Sequence, residues 1–433
     1  MSLQEESPPK SSTGRRPLRL MVHAVDGCVP YMTPFLLEKH FPASDDLLIG
    51  IKVSDTCVVP VFDSGNKKVK KNKKRKIDAD DPSESQAAPD EKGEESSAKN
   101  KEALKHREYS FGKIEPDSWL LLYTRVTVPS FNLVQDNLDR KQHADVSSAN
   151  NHVSVWTPNG KQLLSADDYQ KSAIGLHSKF CVSLFDMSGE SSKRRQEKAL
   201  ARTTEWLRHF VDNIQGEKDQ SEPAGKVWAP VLVPPAGSTH EEIDCLSLSH
   251  IETHKDVVEG IALVGTWRSE LPEMLKDHTE NIQNVAMLST NSLDEVLQIA
   301  TSESINVIGT DLPLRWAKAK KAFVVNFGDT STSLPEDDSS TGGLDHDGCI
   351  DLSHTKFAQD ARPIIEGCSC MACEDSTFGR DYIHHLVQAK EMLAEILLFG
   401  HNLHHMLEMI RTFSTTNDTK GLRERITSQL GSR

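Results

Sequence analysis

Three cysteines within six residues carry the clearest chemistry in this sequence. Cys368, Cys370 and Cys373 form a Cys-x-Cys-x-x-Cys pattern. Zinc prefers four sulfur or nitrogen ligands in a tetrahedron, so the fourth ligand must come from elsewhere in the chain. Candidates follow on a predicted long helix over residues 381–413: His384, His385, His401, His404 and His405. Because four protein ligands leave no open position on the metal, the pattern predicts one structural zinc ion that fastens this helix to the cysteine loop.

Two other interpretations of the cysteines are weaker. Three thiols buried without a metal would be a coincidence of spacing, and a catalytic thiol pair usually occurs as Cys-x-x-Cys beside a thioredoxin-like βαβ unit, which the pattern lacks. The remaining cysteines are too scattered for a secreted disulfide scaffold: Cys28, Cys57, Cys181, Cys245 and Cys349. The sequence also has no apolar run of the roughly 20 residues that span a bilayer and no secretory signal, so we expect a soluble intracellular protein.

The charge distribution limits contact with nucleic acid. A formal net charge of −14 argues against a protein whose whole surface binds phosphates, so any RNA contact must be local or shared with a partner. Residues 64–107 are of a different composition, with the basic run 67–76 followed by an acidic, Ser-rich stretch, and we expect this segment to be a disordered insertion. The basic run is a nuclear localisation signal, an RNA-binding arm or a solvated, charge-balanced loop.

The pattern of apolar segments predicts the fold class. Strand-like runs at 17–24, 47–53, 56–62, 119–128 and 152–156 make the first third rich in strands. Beyond residue 180, short apolar strands, the last of them at 322–327, alternate with helices, which is typical of parallel βαβ units. One of these helices is predicted to begin at about Lys193, and Ser292 with Glu295 forms a capping box that opens another. Neither a Gly-x-Gly-x-x-Gly nor a Walker motif follows a strand, so we favour an α/β fold of the (β/α)8 TIM barrel type, with a C-terminal zinc-binding helical subdomain, over an open nucleotide-binding sheet.

These patterns divide the chain into segments. We predict a disordered N-terminus (1–16), a barrel with a strand-rich N-terminal part (17–63 and 108–327), the disordered insertion (64–107), a polar loop (328–360), a zinc-binding subdomain with its closing helix (361–413) and a C-terminal tail (414–433). The closing helix is apolar around almost its whole circumference near residues 393–399, whereas a helix on a single core needs only an apolar stripe. We interpret this as deeper burial within the chain or as a subunit interface.

The C-terminal motifs resemble those of the tRNA-guanine transglycosylase family. The similarity covers Arg362-Pro-Ile-Ile-Glu-Gly and the cysteines after it, the segment starting Arg380-Asp-Tyr, and His401-Asn402, and it is strongest over residues 285–413. The family's zinc motif joins Cys-x-Cys-x-x-Cys to the histidine of a His-Asn pair. The resemblance therefore implies that zinc is bound by Cys368, Cys370, Cys373 and His401. It also implies a (β/α)8 barrel and the exchange of guanine for queuine at the wobble position of tRNAs with GUN anticodons.

The resemblance also implies where catalysis fails. In catalytic members an aspartate in a Gly-Val-Asp segment, seven residues before a proline, attacks the ribose; counting back from Pro313 places Asn306 there, and an amide cannot act as that nucleophile. Asp311 would serve instead only if five residues were deleted from the alignment. Asp63-Ser-Gly resembles the proton-transfer motif but lacks the residues that follow it. Glu259 replaces the first glycine of the base-binding turn. We therefore expect no catalytic residues in this chain.

The implied role is that of a non-catalytic subunit. Segments 153–156 and 294–297 are similar to those of the family's non-catalytic members, which form a heterodimer with a catalytic subunit and act on tRNA. The helical region around the zinc is the expected docking surface, and basic residues between 315 and 321 are candidate tRNA contacts. The family implies a cytoplasmic location or a peripheral one at the mitochondrial outer membrane. Two alternatives remain: an active homodimer using Asp311, and a nuclear zinc RNA-binding protein without base-exchange activity.

Overall fold

The structure is a computed structural model of the chain. It describes residues 16–25, 29–41, 46–52, 130–133, 152–157, 160–175, 180–186, 193–216, 226–233, 257–273, 275, 282, 284–328 and 344–431. The predicted insertion and the predicted strands at 56–62 and 119–128 lie outside these residues.

The described residues form a series of strands and helices, with most strands in the first three quarters of the chain and the longest run of helices at the C-terminal end. The strands are β1 (Arg19–His23), β2 (Leu47–Lys52), β3 (Ser130–Leu133), β4 (His152–Thr157), β5 (Gly160–Ser165), β6 (Phe180–Val182), β7 (Lys226–Leu232), β8 (Val258–Val264), β9 (Asn284–Thr290), β10 (Val307–Thr310), β11 (Lys321–Phe323) and β12 (Cys349–Asp351). The helices are α1 (Pro34–His40), α2 (Ala166–Gly175), α3 (Lys193–Gly216), α4 (Leu293–Thr301), α5 (Leu312–Lys318), α6 (Arg380–Ala389), α7 (Met392–Thr415) and α8 (Thr419–Thr427).

Eight parallel strands close into a barrel, which confirms the predicted fold class. Their order is β1-β10-β9-β8-β7-β6-β3-β2, and β1 pairs with both β10 and β2 to close the ring. Where the structure describes their burial, the apolar side chains of these strands are almost completely buried, as a parallel sheet covered on both faces requires. Gly309 lets β10 lie close against β9, since a Cβ there would lie 2.0 Å from the Leu288 carbonyl oxygen.

Two predicted barrel strands belong to other sheets. The strand predicted at 152–156 forms β4, which pairs with β5 as an antiparallel hairpin outside the barrel. The strand predicted at 322–327 begins as β11, which pairs antiparallel with β12. Its assignment to the barrel was wrong because β10 already pairs with β1, so the closed sheet has no edge left for another strand.

The helices agree with the sequence pattern in part. Helix α3 begins at the predicted residue, and Ser292 caps α4 as predicted, with its hydroxyl accepting a hydrogen bond from the Glu295 N–H at 3.3 Å. The predicted single helix over 381–413 is wrong, because the chain breaks between α6 and α7 at Lys390, which adopts a left-handed conformation with φ of 59°. The segment expected as a tail contains α8, which buries Leu422 and Ile426.

Candidate metal centre

A compact turn brings the three cysteines together. Within it, the Cys373 N–H donates to the Cys370 carbonyl at 3.1 Å, so the chain folds back and directs the thiols to the same side, toward α7. Helix α7 presents Gly400 to this turn. A Cβ at Gly400 would lie 2.5 Å from the Met371 sulfur, so the absence of a side chain lets the turn approach the helix closely.

The structure brings His401 to the three thiols. Its Nδ1 lies 4.0 Å from the Cys368 sulfur, 3.4 Å from that of Cys370 and 3.5 Å from that of Cys373. All four ligand atoms are within 4.8 Å of one another. A zinc tetrahedron with ordinary Zn–S and Zn–N bonds has sulfur-to-nitrogen edges of about 3.5 Å, so this donor set has the size and chemistry that zinc requires.

The other candidate histidines have different surroundings. His384 Nδ1 lies 2.9 Å from the Leu352 carbonyl, His405 Nε2 lies 2.8 Å from the Val325 carbonyl, His404 Nε2 lies 3.4 Å from the Ser369 hydroxyl, and His385 is exposed. Geometry therefore selects His401, the residue that the family resemblance implied, from five histidines that spacing alone left open.

A backbone carbonyl orients the His401 ring. His401 is fully buried, and its Nε2 lies 2.9 Å from the carbonyl oxygen of Phe323. A carbonyl only accepts hydrogen bonds, so Nε2 carries a proton, and Nδ1 is the ring nitrogen that faces the thiols and would bind a metal. Metal-binding histidines commonly have such an arrangement, in which the second nitrogen donates to a carbonyl or carboxylate.

The electrostatics of the cluster favour negative sulfur next to positive charge. Hydrogen bonds from the thiols of Cys370 and Cys373 lower the pKa of Cys368, and the bond to Cys368 raises the pKa of Cys370. Burial opposes protonation of His401, but the hydrogen bonds with Cys368 and Cys373 raise its pKa to about 10. Burial lowers the pKa of the neighbouring His405 to about 3, so that ring is neutral. A divalent cation would stabilise the thiolates that such a cluster prefers.

Comparison with known proteins identifies the family. The family model described as queuine tRNA-ribosyltransferase matches residues 134–421, a region that contains all four clustered residues and most of the barrel. The chain belongs to the queuine tRNA-ribosyltransferase family.

Curated relatives in this family carry a more specific name. A protein of Trichoplax adhaerens named queuine tRNA-ribosyltransferase accessory subunit 2 is 28% identical over 64% of this chain and 69% of its own. Proteins of the same name from Culex quinquefasciatus and Aedes aegypti are 27% and 23% identical, over 62% and 60% of this chain and 62% and 61% of their own. The chain thus spans about two thirds of the length of the relatives it matches.

Two residues that the resemblance placed in the catalytic site lie at the other end of the barrel. TIM-barrel enzymes of every characterised family react at the carboxyl ends of the strands. Asn306 precedes β10, at its amino end, where its Oδ1 accepts the Val285 N–H at 2.8 Å. Glu259 lies near the amino end of β8 and pairs with Lys226 at 3.2 Å. Both placements were therefore wrong; for Asn306 the reason is that the spacing to Pro313 did not show where β10 begins. Asp63 lies outside the described residues.

Among the residues that the structure describes, two other acids lie at the carboxyl end, and both are paired with arginine. Asp311 directly follows β10, and its Oδ1 accepts from Arg315 Nε at 2.8 Å. Asp186, which the sequence analysis did not single out, follows β6, is 1% exposed and lies 2.7 Å from Arg202. Its signal in the sequence was an acid directly after an apolar run, the position where barrel enzymes keep functional groups.

The basic segment between 315 and 321 is mostly engaged within the chain. Arg315 pairs with Asp311, Lys320 with Glu395, and Lys321 with Asp345, while Lys318 is exposed. Most of these cations therefore already have a carboxylate partner, which weakens the expectation that they hold tRNA. None of the helices described is long and apolar enough to cross a bilayer.

Proposed function

We propose that this chain is the catalytically silent accessory subunit of a heterodimeric queuine tRNA-ribosyltransferase. In this role it supports the exchange of guanine for queuine at the wobble position of tRNAs with GUN anticodons. The observation that carries the proposal is membership of the family together with relatives named accessory subunit 2. That name separates them from a catalytic subunit, which would be the partner of this chain.

The pairing of the described acids at the carboxyl end of the barrel supports catalytic silence. A carboxylate nucleophile must be free to attack the ribose carbon. Asp311 and Asp186 each accept a hydrogen bond from an arginine, Arg315 and Arg202, and a charge-assisted bond of this kind lowers the nucleophilicity of the carboxylate. The reactive acid would then come from the partner subunit.

We propose that the metal centre is structural. Cys368, Cys370, Cys373 and His401 would hold one zinc ion per subunit, and the ion would supply folding energy but no chemistry to the base exchange. Four protein ligands exclude water and substrate from the metal. The ion would join the cysteine turn to α7 and keep the C-terminal subdomain in one arrangement.

An exposed apolar surface at the start of α1 and α7 is the proposed contact with the catalytic subunit. Most of α7 is buried within this chain, which accounts for its apolar circumference. Its first turn differs, with Met392 67% exposed and Leu393 36% exposed, and Phe35 of α1 is 71% exposed. The Tyr31 hydroxyl bonds to Glu395, so the two helix starts lie close together. Exposed apolar groups of this size are typical of subunit interfaces.

An active homodimer is the second candidate. Asp311 favours it, because this acid lies at the reactive end of the barrel and Asn306 does not. Guanine-labelled tRNA separates the two candidates: the purified chain alone releases no label if it is an accessory subunit, and releases label that an Asp311→Asn variant no longer releases if it is an active homodimer.

The cellular assignments are also proposals. Co-purification of the full chain from cells, with mass determination of its companion, tests the heterodimer, and a companion from outside the family would overturn it. We propose a cytoplasmic location, with a peripheral fraction at the mitochondrial outer membrane, which cell fractionation tests. Deletion of residues 66–107 tests the nuclear RNA-binding alternative, which requires loss of tRNA association.

A further inference from the structure

Within the described part of the chain, one edge of the short sheet β11–β12 has no strand beside it. Strand β11 pairs with β12 through Ala322 opposite Ile350, so the backbone groups of Lys321 and Phe323 point to the other edge. Unpaired backbone groups in a buried edge are costly, and each needs a hydrogen-bonding partner. The partners come from side chains of α7.

Three polar side chains of α7 occupy this edge in place of a strand. Asn402 Oδ1 accepts the Phe323 N–H at 2.8 Å, and Asn402 Nδ2 donates to the Lys321 carbonyl at 3.0 Å. His401 Nε2 donates to the Phe323 carbonyl at 2.9 Å, and His405 continues the row one residue pair further along. Phe323 is thus held on both its amide and carbonyl sides by adjacent residues of one helix.

We propose that Asn402 is a positioning residue for the metal centre and acts through Phe323. The inference rests on the proposed zinc site. The Phe323 carbonyl sets the protonated nitrogen and the ring orientation of His401, and that carbonyl stays in place because Asn402 holds the same residue by its N–H. Asn402 is fully buried and uses three of its four hydrogen-bonding positions on backbone groups, so its own amide cannot rotate freely.

The same contacts connect the metal centre to the barrel. Asn402 Nδ2 also lies 3.4 Å from the carbonyl of Pro313 in α5, the helix that follows β10. The Trp316 ring of α5 stacks on Phe323 with ring centroids 4.9 Å apart. Zinc binding therefore orders β11 and α5 as well as the cysteine turn. Without Asn402, zinc binding would still order the cysteine turn but would no longer order β11 and α5.

The test compares two buried asparagines in the full-length chain. Asn402→Ala removes the bond to Phe323. Asn306→Ala is the matched control, because Asn306 is also buried and accepts a backbone N–H at the same 2.8 Å but lies outside the cysteine–histidine cluster. Both variants lose stability. Second-shell changes weaken metal binding by about 10–100-fold, so Asn402→Ala should show that loss in a chelator competition with zinc, while Asn306→Ala stays within about threefold of the wild type.

The visible absorption of bound cobalt(II) tests the positioning role, because a residue that only stabilises the fold would not change it. Asn402→Ala should shift the visible absorption bands of the cobalt-loaded chain, because the His401 ring turns, and Asn306→Ala should leave them in place. Equal zinc affinity and equal spectra for wild type and Asn402→Ala would overturn the positioning role. A wild-type chain that binds neither metal would instead overturn the zinc site, so the two failures are distinguishable.

Hydrogen exchange keeps the inference testable if Asn402→Ala does not fold. In the wild-type chain, removal of zinc should speed exchange of the Phe323 amide, which bonds to Asn402 and not to a ligand, while amides of β9 stay protected. Unchanged protection of Phe323 after zinc removal would overturn the coupling.

Discussion

Tyr31 and Glu395 lie 364 residues apart in the sequence, and the Tyr31 hydroxyl donates a hydrogen bond to the Glu395 carboxylate. The same carboxylate pairs with Lys320. Tyr31 and Lys320 are both in the left-handed region, with φ of 58° and 63°, a conformation that side chains other than glycine rarely adopt. Glu395 therefore joins the loop after β1, the turn before β11 and the first turn of α7.

The Tyr31 contact gives a pH-dependent prediction. Burial, then the bond to Glu395, raises the pKa of Tyr31 to about 12 from its ordinary value of about 10. The stabilisation from the protonated hydroxyl is complete below pH 10 and is lost as the pH rises from about 10 to about 12, because the unfolded chain ionises first. Tyr31→Phe should lower the free energy of unfolding by about 1 kcal/mol at neutral pH. Thermal unfolding of the wild type and of Tyr31→Phe at neutral pH and at about pH 12 checks this. A difference in stability between the two proteins that is as large at about pH 12 as at neutral pH would contradict it.

The metal centre makes a prediction about cysteine identity. Cys373→Ser should abolish stoichiometric zinc and lower the free energy of unfolding by about 4 kcal/mol or more, because the metal would supply folding energy. Cys349→Ser is the control, since Cys349 is also buried but lies outside the cluster, and it should keep its zinc. Metal analysis after dialysis and urea denaturation measure both effects. Equal zinc content in the two variants would exclude the cluster as the binding site.

The barrel makes a prediction about glycine. Gly309→Ala should cost about 3 kcal/mol or more, because the new methyl meets the Leu288 carbonyl at 2.0 Å and a barrel strand cannot move alone. At Gly400 the nearest atom is the Met371 sulfur, the end of a flexible side chain, so Gly400→Ala should cost less. Urea denaturation of both variants measures the difference, and the reverse order would show that β10 and β9 are not packed as described.

The exposed apolar surface makes a prediction about assembly. Met392→Asp and Phe35→Asp should weaken binding of the catalytic subunit at least about tenfold, because each places a charge in the core of the proposed interface, while stability of the free chain changes by no more than about 0.5 kcal/mol. Lys198→Asp adds the same carboxylate to an exposed position on α3 and should bind normally. Analytical ultracentrifugation or surface plasmon resonance decides, and full binding by both apolar variants would place the interface elsewhere.

Local sequence patterns predicted the elements better than their ends. The apolar runs of β1, β2 and β7–β10 indicated a parallel barrel because both of their faces are buried. The start of β10 was beyond such reasoning, so Asn306 was placed at the wrong end of the strand. The break at Lys390 was equally hidden, since a lysine in a left-handed cap has no signature like that of glycine.

The sequence predicted the ligands of the candidate site but not the residue that positions them. Cysteine spacing predicted three ligands, and family resemblance supplied His401, which geometry then selected. The role of Asn402 could not be predicted, because it depends on the free edge of β11, and that edge exists only once β11 has paired with β12 outside the closed barrel.

Base exchange by the isolated chain tests the central claim most directly. Purified full-length protein is incubated with guanine-labelled tRNA of a GUN anticodon and with queuine, first alone and then with a catalytic family member. We predict no release of label by the chain alone and release when the catalytic subunit is added. Release by the chain alone, abolished in Asp311→Asn, would contradict the accessory role and establish this chain as an enzyme.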